Sequence, residues 1–134
     1  MSSVLIHAIE AESALETLLW GDPQTLRDAA NDATEERVNV LQIDVLVLDN
    51  RDVWYEFEMR RRLSEPETVV FVLRFTAETG FQDNCVASLK IADRTFTAPL
   101  DADGVATLTV PERAVLDPKS KRPLKPYFVG LTCA

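Results

Sequence analysis

The stretch VNVLQIDVLVLDNRDVWYEFEM, residues 38–59, decides the fold class. Val53, Tyr55, Phe57 and Met59 alternate with Trp54, Glu56, Glu58 and the following Arg60. A period of two with one apolar parity is the pattern of a half-buried β-strand. The preceding residues are rich in Val, Ile and Leu, and Asp49-Asn50-Arg51-Asp52 between the two runs is turn chemistry. The whole reads as a β-hairpin. Its first strand carries a slip of phase: Val38 and Val40 lie on one parity, Leu41, Ile43, Val45 and Val47 on the other. One extra residue near Leu41, a β-bulge, accounts for that slip.

Downstream the period of two continues. Val69, Phe71, Leu73 and Phe75 form one alternating face, and Cys85, Ala87, Leu89 and Ile91 form the next. Leu63–Glu67, with Pro66, reads as a loop and Thr79-Gly80 as a turn. Arg94–Leu100 and Val105–Val110 flank Asp101-Ala102-Asp103-Gly104, read as a tight hairpin turn. Residues 111–126 hold four prolines and are expected to be mostly irregular, before a last strand with Tyr127, Val129, Leu131 and Cys133. Seven or eight strands joined by short connections leave no room for crossover helices. The expected fold is therefore mainly β, an antiparallel β-sandwich over residues 37–134. Its expected core includes Val45, Val47, Tyr55, Phe57, Phe71, Leu73, Leu89, Phe96, Leu108 and Val129.

Upstream the period changes. Leu5, Ile9, Leu15, Leu18 and Leu19, with Ala8, Ala11 and Ala14, suggest an amphipathic helix over residues 4–20, ended by Gly21. Asp22-Pro23 then suits the start of a second short helix running to about Asn31. Residues 1–36 thus read as an acidic helical segment of the same single domain, which at 134 residues is large enough for one core.

The formal net charge is −8. Residues 1–37 carry eight acids against Arg27 and Arg37, and the remainder is nearly balanced. Such a surface disfavours direct nucleic-acid binding, although acidity also simply keeps a small protein in solution. The longest wholly apolar run, Val69–Leu73, is far too short for a membrane span, and the first residues do not resemble a secretion signal. These features point to a cytoplasmic chain with Cys85 and Cys133 as reduced core thiols; a Cys85–Cys133 disulfide is the alternative.

The residue types that carry catalysis are sparse. His7 is the only histidine and no nucleophile is signalled beside it. Glu56 and Glu58 share a strand face at about 6.6 Å, near a glycosidase spacing, but alternation alone makes such a pair the wet face of a strand. Asp101-Ala102-Asp103-Gly104 faintly resembles the opening of a calcium loop, with Glu112 at the twelfth position; the strand pattern between them separates the two. Arg60-Arg61-Arg62 and Lys119-Ser120-Lys121-Arg122 could hold an anion, yet short basic runs are usually solvated. No cofactor motif is present, so no catalytic, cofactor or metal residues are assigned.

Asp93–Pro111, DRTFTAPLDADGVATLTVP, resembles the late hairpin of bacterial immunoglobulin-like β-sandwich modules, with Gly104, Ala106, Leu108 and Val110 in the form G-x-A-x-L-x-V. The resemblance spans these 19 residues. It implies a sandwich and carries no activity with it. The functional expectation is a non-catalytic protein-interaction or assembly module that binds another protein or itself. Leu15, Leu18, Leu19, Trp20, Trp54 and Tyr55 are its candidate contacts, since apolar stripes and large aromatics anchor interfaces. A small acidic chaperone or inhibitor of a basic partner, and an enzyme using carboxylates or a phosphate site, are the rival readings.

Overall fold

A computed structural model describes residues 2–16, 36–62, 65, 67–78, 80–81 and 84–134, with the backbone alone for Glu36, Arg37 and Arg62. The described elements are β1 (Ser2–His7), α1 (Ile9–Ala14), β2 (Glu36–Leu48), β3 (Arg51–Arg62), β4 (Thr68–Ala77), β5 (Cys85–Ile91), β6 (Arg94–Pro99), β7 (Val105–Pro111) and β8 (Tyr127–Cys133). They make two four-stranded antiparallel sheets, ordered β1-β8-β5-β6 and β2-β3-β4-β7. The fold is the mainly β sandwich expected, with one short helix near its start.

The β2–β3 hairpin sets the register of the second sheet. Its turn is only Asp49-Asn50, both at positive φ (54° and 60°), the two-residue form whose twist matches that of paired strands. Leu48 therefore pairs Arg51, Leu46 pairs Val53 and Asp44 pairs Tyr55. The register shifts between Val40 and Gln42, which places the expected bulge at Leu41. The extra residue keeps Leu41 inside at 4% exposure and leaves both Val40 and Ile43 outside.

This register corrects the expected core. Val45 and Val47 face solvent, 37% and 57% exposed, while Leu46 and Leu48 are buried. Both parities of residues 45–48 are aliphatic, so hydrophobicity alone does not choose between them; pairing with Val53 and Tyr55 does. Tyr55, Phe57, Phe71, Leu73, Leu89, Leu108 and Val129 are buried as expected, and Phe96 is partly buried against them. Phe57 stacks on Phe71 at 5.5 Å, and Phe71 meets Tyr127 of the opposite sheet edge-on at 6.3 Å.

Residues 101–104 do not form a hairpin. β6 pairs β5 in one sheet and β7 pairs β4 in the other, so the turn carries the chain between sheets. Asp101 holds it locally, its Oδ1 accepting from the backbone N–H groups of Asp103 and Val105 at 2.8 and 2.9 Å. Gly104 has φ of +78°, and a Cβ there would lie 2.5 Å from the Phe75 carbonyl oxygen. The glycine lets the turn lie flat against β4, where the Phe75 N–H donates to the Gly104 carbonyl at 2.9 Å.

The N-terminal reading also needs correction. Ser2–His7 is a strand of the first sheet, pairing β8 from Ser2–Cys133 to His7–Phe128. The division into a helical segment at 1–36 and a sandwich at 37–134 thus fails at residues 2–7. Val4 and Ile6 are β-branched and point inward, and a ready strand edge at β8 outweighs a local helical spacing. Helix begins only at Ile9. Ala8, Ala11 and Leu15 are fully buried, while Leu5 and Ile9, expected on the same stripe, are exposed. The Ala11 N–H donates to Gln42 Oε1 at 3.0 Å and Gln42 Nε2 donates to the Tyr55 hydroxyl at 2.5 Å. These bonds tie α1 to the inner side of β2. Residues 17–20 and the second expected helix lie outside the described residues.

Cys85 and Cys133 form a disulfide, not the expected pair of reduced thiols. They are directly opposed partners on β5 and β8, with Cα atoms 4.1 Å apart. Distance in sequence said nothing of that proximity; strand pairing created it.

Two measurements check this architecture. Leu46→Ala is expected to lower the unfolding free energy by about 2–5 kcal/mol, and Val47→Ala by less than about 0.5 kcal/mol, in urea titrations followed by circular dichroism. The protein is expected to take up no alkylating reagent until reduced, by mass spectrometry. Reduction should then lower stability by about 2–4 kcal/mol, since the bond closes a long loop.

Candidate functional site

The chemistry-bearing residues named in the sequence are held apart. His7 ends β1 on the outer face of the first sheet, stacked on Phe128 at 5.1 Å. Its Nε2 is 2.8 Å from Glu12 Oε1, and the same carboxylate oxygen accepts the Tyr127 N–H at 2.7 Å. Glu12 thus joins α1 to the start of β8, and no nucleophile shares the contact. Among the described residues no group of three or more His, Cys, Asp or Glu is placed to hold a metal ion. The Asp101 carboxylate is already committed to the backbone of its turn. Of the arginine run, Arg60 bonds Glu58 and Arg61 bonds Glu112, so these two cations are engaged within the fold. Asp117 Oδ1 accepts from the N–H groups of Ser120 and Lys119, which holds its carboxyl below the usual range and shapes the Lys119–Arg122 segment as a surface turn.

The candidate interface residues separate into three groups. Leu15 and Tyr55 are interior, at 0% and 1% exposure, and present no surface. Burial, with the nearby Asp44 charge adding to it, pushes the Tyr55 phenol up to about 12. Leu18, Leu19 and Trp20 lie outside the described residues. Of the three that are described, Trp54 alone is a surface side chain, 58% exposed on the outer face of β3.

The strand face around Trp54, Glu56 and Glu58 is the alternative contact surface in the sequence reading, and beside it the register assembles a row on β2 that this reading did not single out. Val38, Val40, Ile43, Val45 and Val47 all point outward from β2, at 37–62% exposure, with Trp54 beside Val45. Sequence periodicity showed these aliphatics but assigned the later ones to the core; an accurate choice of register at Leu48–Arg51 is the signal that would have found them.

Inland from this row runs a balanced ionic strip. Glu58, whose side chain is 4% exposed, accepts from Arg60 Nε at 3.2 Å and from Arg74 Nη1. Glu56 lies 3.9 Å from the same Arg74 group. The Glu58 bond raises the pKa of the Arg74 guanidinium above its ordinary value. Two acids and two bases cancel, so this strip is neutral on a chain of net charge −8, and Asp52 is the one further acid on the outer face of β3.

Backbone groups at the edge are guarded. With Leu48 and Arg51 as the first hydrogen-bonded pair, the N–H and C=O groups of Ile43, Val45 and Val47 point away from β3. The Val45 N–H is occupied by Asp44 Oδ1 at 2.8 Å.

The chain matches no family model, no curated protein and no solved structure. Among the described residues no helix is long and apolar enough to cross a membrane.

Glu58→Ala is expected to destabilise the protein by about 1–2 kcal/mol, because it leaves two half-exposed guanidinium groups without their shared carboxylate. Glu56→Ala, at the rim, should stay within about 0.5 kcal/mol of the parent. Chemical denaturation of the two variants makes the comparison.

Proposed function

We propose that this chain is a non-catalytic protein-interaction or assembly module whose contact surface is the outer face of β2 and β3. One observation carries the reading: five β-branched side chains and Trp54 stand exposed in a continuous row on one face. Together they present about 500 Å² of apolar surface, at the upper end of what monomers show as a single patch. Isolated surface aliphatics are ordinary, whereas a contiguous row beside a large aromatic is typical of interface centres. On this reading the contact surface keeps Trp54 from the expected set and leaves out Leu15 and Tyr55, which are packed into the sandwich.

The Cys85–Cys133 disulfide supports an oxidising compartment for the folded protein in place of the reducing cytoplasm.

Site-specific photo-crosslinking tests the function. A benzophenone side chain at position 43, introduced in the cells that make the protein, is expected to yield a polypeptide adduct. The same group at position 97, exposed on the outer face of the first sheet, is expected to yield none. No adduct at 43, or equal adducts at both positions, overturns the assignment.

A further inference from the structure

From the same surface, and resting on its reading as a contact face, we infer that the occupant is a second copy of this chain, stacked face to face across a two-fold axis near Ile43. Area is the first argument. Two copies of the row cover about 1,000 Å² between them, the threshold for a specific protein–protein interface. The patch is also linear, running about 30 Å along one strand, and a linear aliphatic row is complementary to itself.

Charge supplies the second argument. Copies bearing −8 repel at a distance, so a self-contact must be locally neutral. No residue of the row is charged, Glu56 and Glu58 are matched by Arg60 and Arg74, and Asp52, the one further acid on that face of β3, meets a cation of the other copy in the two-fold arrangement. Register then sets the ends. Val38 pairs Arg60 at one end of the row and Val47 pairs Asp52 at the other. A two-fold axis perpendicular to the strands reverses the second row upon the first. It sets Asp52 of each copy over the exposed part of the other copy's Arg60, whose Nε keeps its bond to Glu58, so one symmetry operation generates two opposite-charge contacts. Ile43, the most exposed aliphatic of the row at 62%, falls on the axis. Glu56 pairs Ile43 in the register and also lies near the axis, where Arg74 accompanies it in each copy.

The mode is stacking rather than strand addition. Strand addition would need the outward N–H groups of β2, and Asp44 already occupies that of Val45. The bulge at Leu41 interrupts the edge a few residues away. Acidic guards and bulges on edge strands prevent edge-to-edge pairing. Both remain undisturbed when outer faces pack at the ordinary sheet-to-sheet distance.

Sedimentation equilibrium on the full chain tests the inference. At tens of micromolar the mass is expected to be twice 15.0 kDa, falling toward the monomer on dilution. Ile43→Asp brings two carboxylates together on the axis and should weaken association at least a hundredfold, with unchanged circular dichroism because the position is exposed. Asp52→Arg alone should weaken association, and Asp52→Arg with Arg60→Asp should restore it. That rescue reports the reversed alignment and cannot arise from misfolding. Asp44→Ser should leave the dissociation constant unchanged; a stronger dimer in this variant would mean strand addition and overturn the stacking mode. A mass of 15.0 kDa at every concentration, or a dimer indifferent to Ile43→Asp, overturns the inference as a whole. If the chain is monomeric while position 43 crosslinks a different protein, only the choice of occupant fails. If position 43 crosslinks nothing, the contact-face reading fails with it.

Discussion

Pairing of Leu48 with Arg51 across a two-residue turn is the constraint on which the second sheet depends. Asp49 and Asn50 both take left-handed backbone conformations, which short polar side chains tolerate better than most. The turn cannot be lengthened by one residue without inverting every side chain of β2. Its register sends Leu46 and Leu48 into the core and Val45 and Val47 to the surface. The bulge at Leu41 then absorbs the change of parity, so that Val38 and Val40 share a face with Ile43. The apolar outer row thus follows from the same geometry that builds the core.

A sandwich of two open sheets has sides to be closed, and the N-terminus closes one of them. β1 extends the first sheet beside β8, and α1 follows at once across the gap toward β2. Small side chains permit that close approach: Ala8 and Ala11 are fully buried, with Leu15 filling the space beyond them. Several polar groups at this junction are paired with one another. Gln42 accepts from the helix backbone and donates to Tyr55, and Glu12 accepts the first N–H of β8. Unpaired, each of these would carry a desolvation penalty of about 1–3 kcal/mol. Their arrangement makes residues 2–16 part of the sandwich rather than an arm able to leave it.

Charge on this protein is distributed so that one face escapes the general acidity. Glu58 gathers Arg60 and Arg74 into a compact group behind the aliphatic row. A neutral apolar strip on a strongly acidic chain lowers the repulsion any acidic neighbour would otherwise meet there. Asp44 performs a different task on the same strand, covering a backbone N–H that would invite a further strand. Edge and face of β2 are therefore treated oppositely, the first closed to pairing and the second left apolar.

Alternation in Val53–Arg60, Val69–Thr76 and Cys85–Ile91, together with the turn residues between them, determined an antiparallel β fold from sequence alone. Val53–Arg60 and Cys85–Ile91 each have one mostly apolar and one mostly polar parity, and in Val69–Thr76 Arg74 and Thr76 mark the outer one, so one orientation buries the more apolar side. The slip at Leu41 was legible for the same reason. Tertiary structure decided the places where local pattern is degenerate. Val45–Leu48 is aliphatic on both parities, so the turn register chose its inner face. Val4–His7 satisfies a helical spacing as well as a strand, and the open edge of β8 chose the strand. Arg94–Pro99 and Val105–Pro111 read as two arms of one hairpin, yet each finds its partner in a different sheet. Cys85 and Cys133, 48 residues apart, become opposed neighbours only when β5 and β8 pair. The surface around Ile43 and Trp54 belongs to this second class, because an exposed row is defined by what the other described residues leave uncovered.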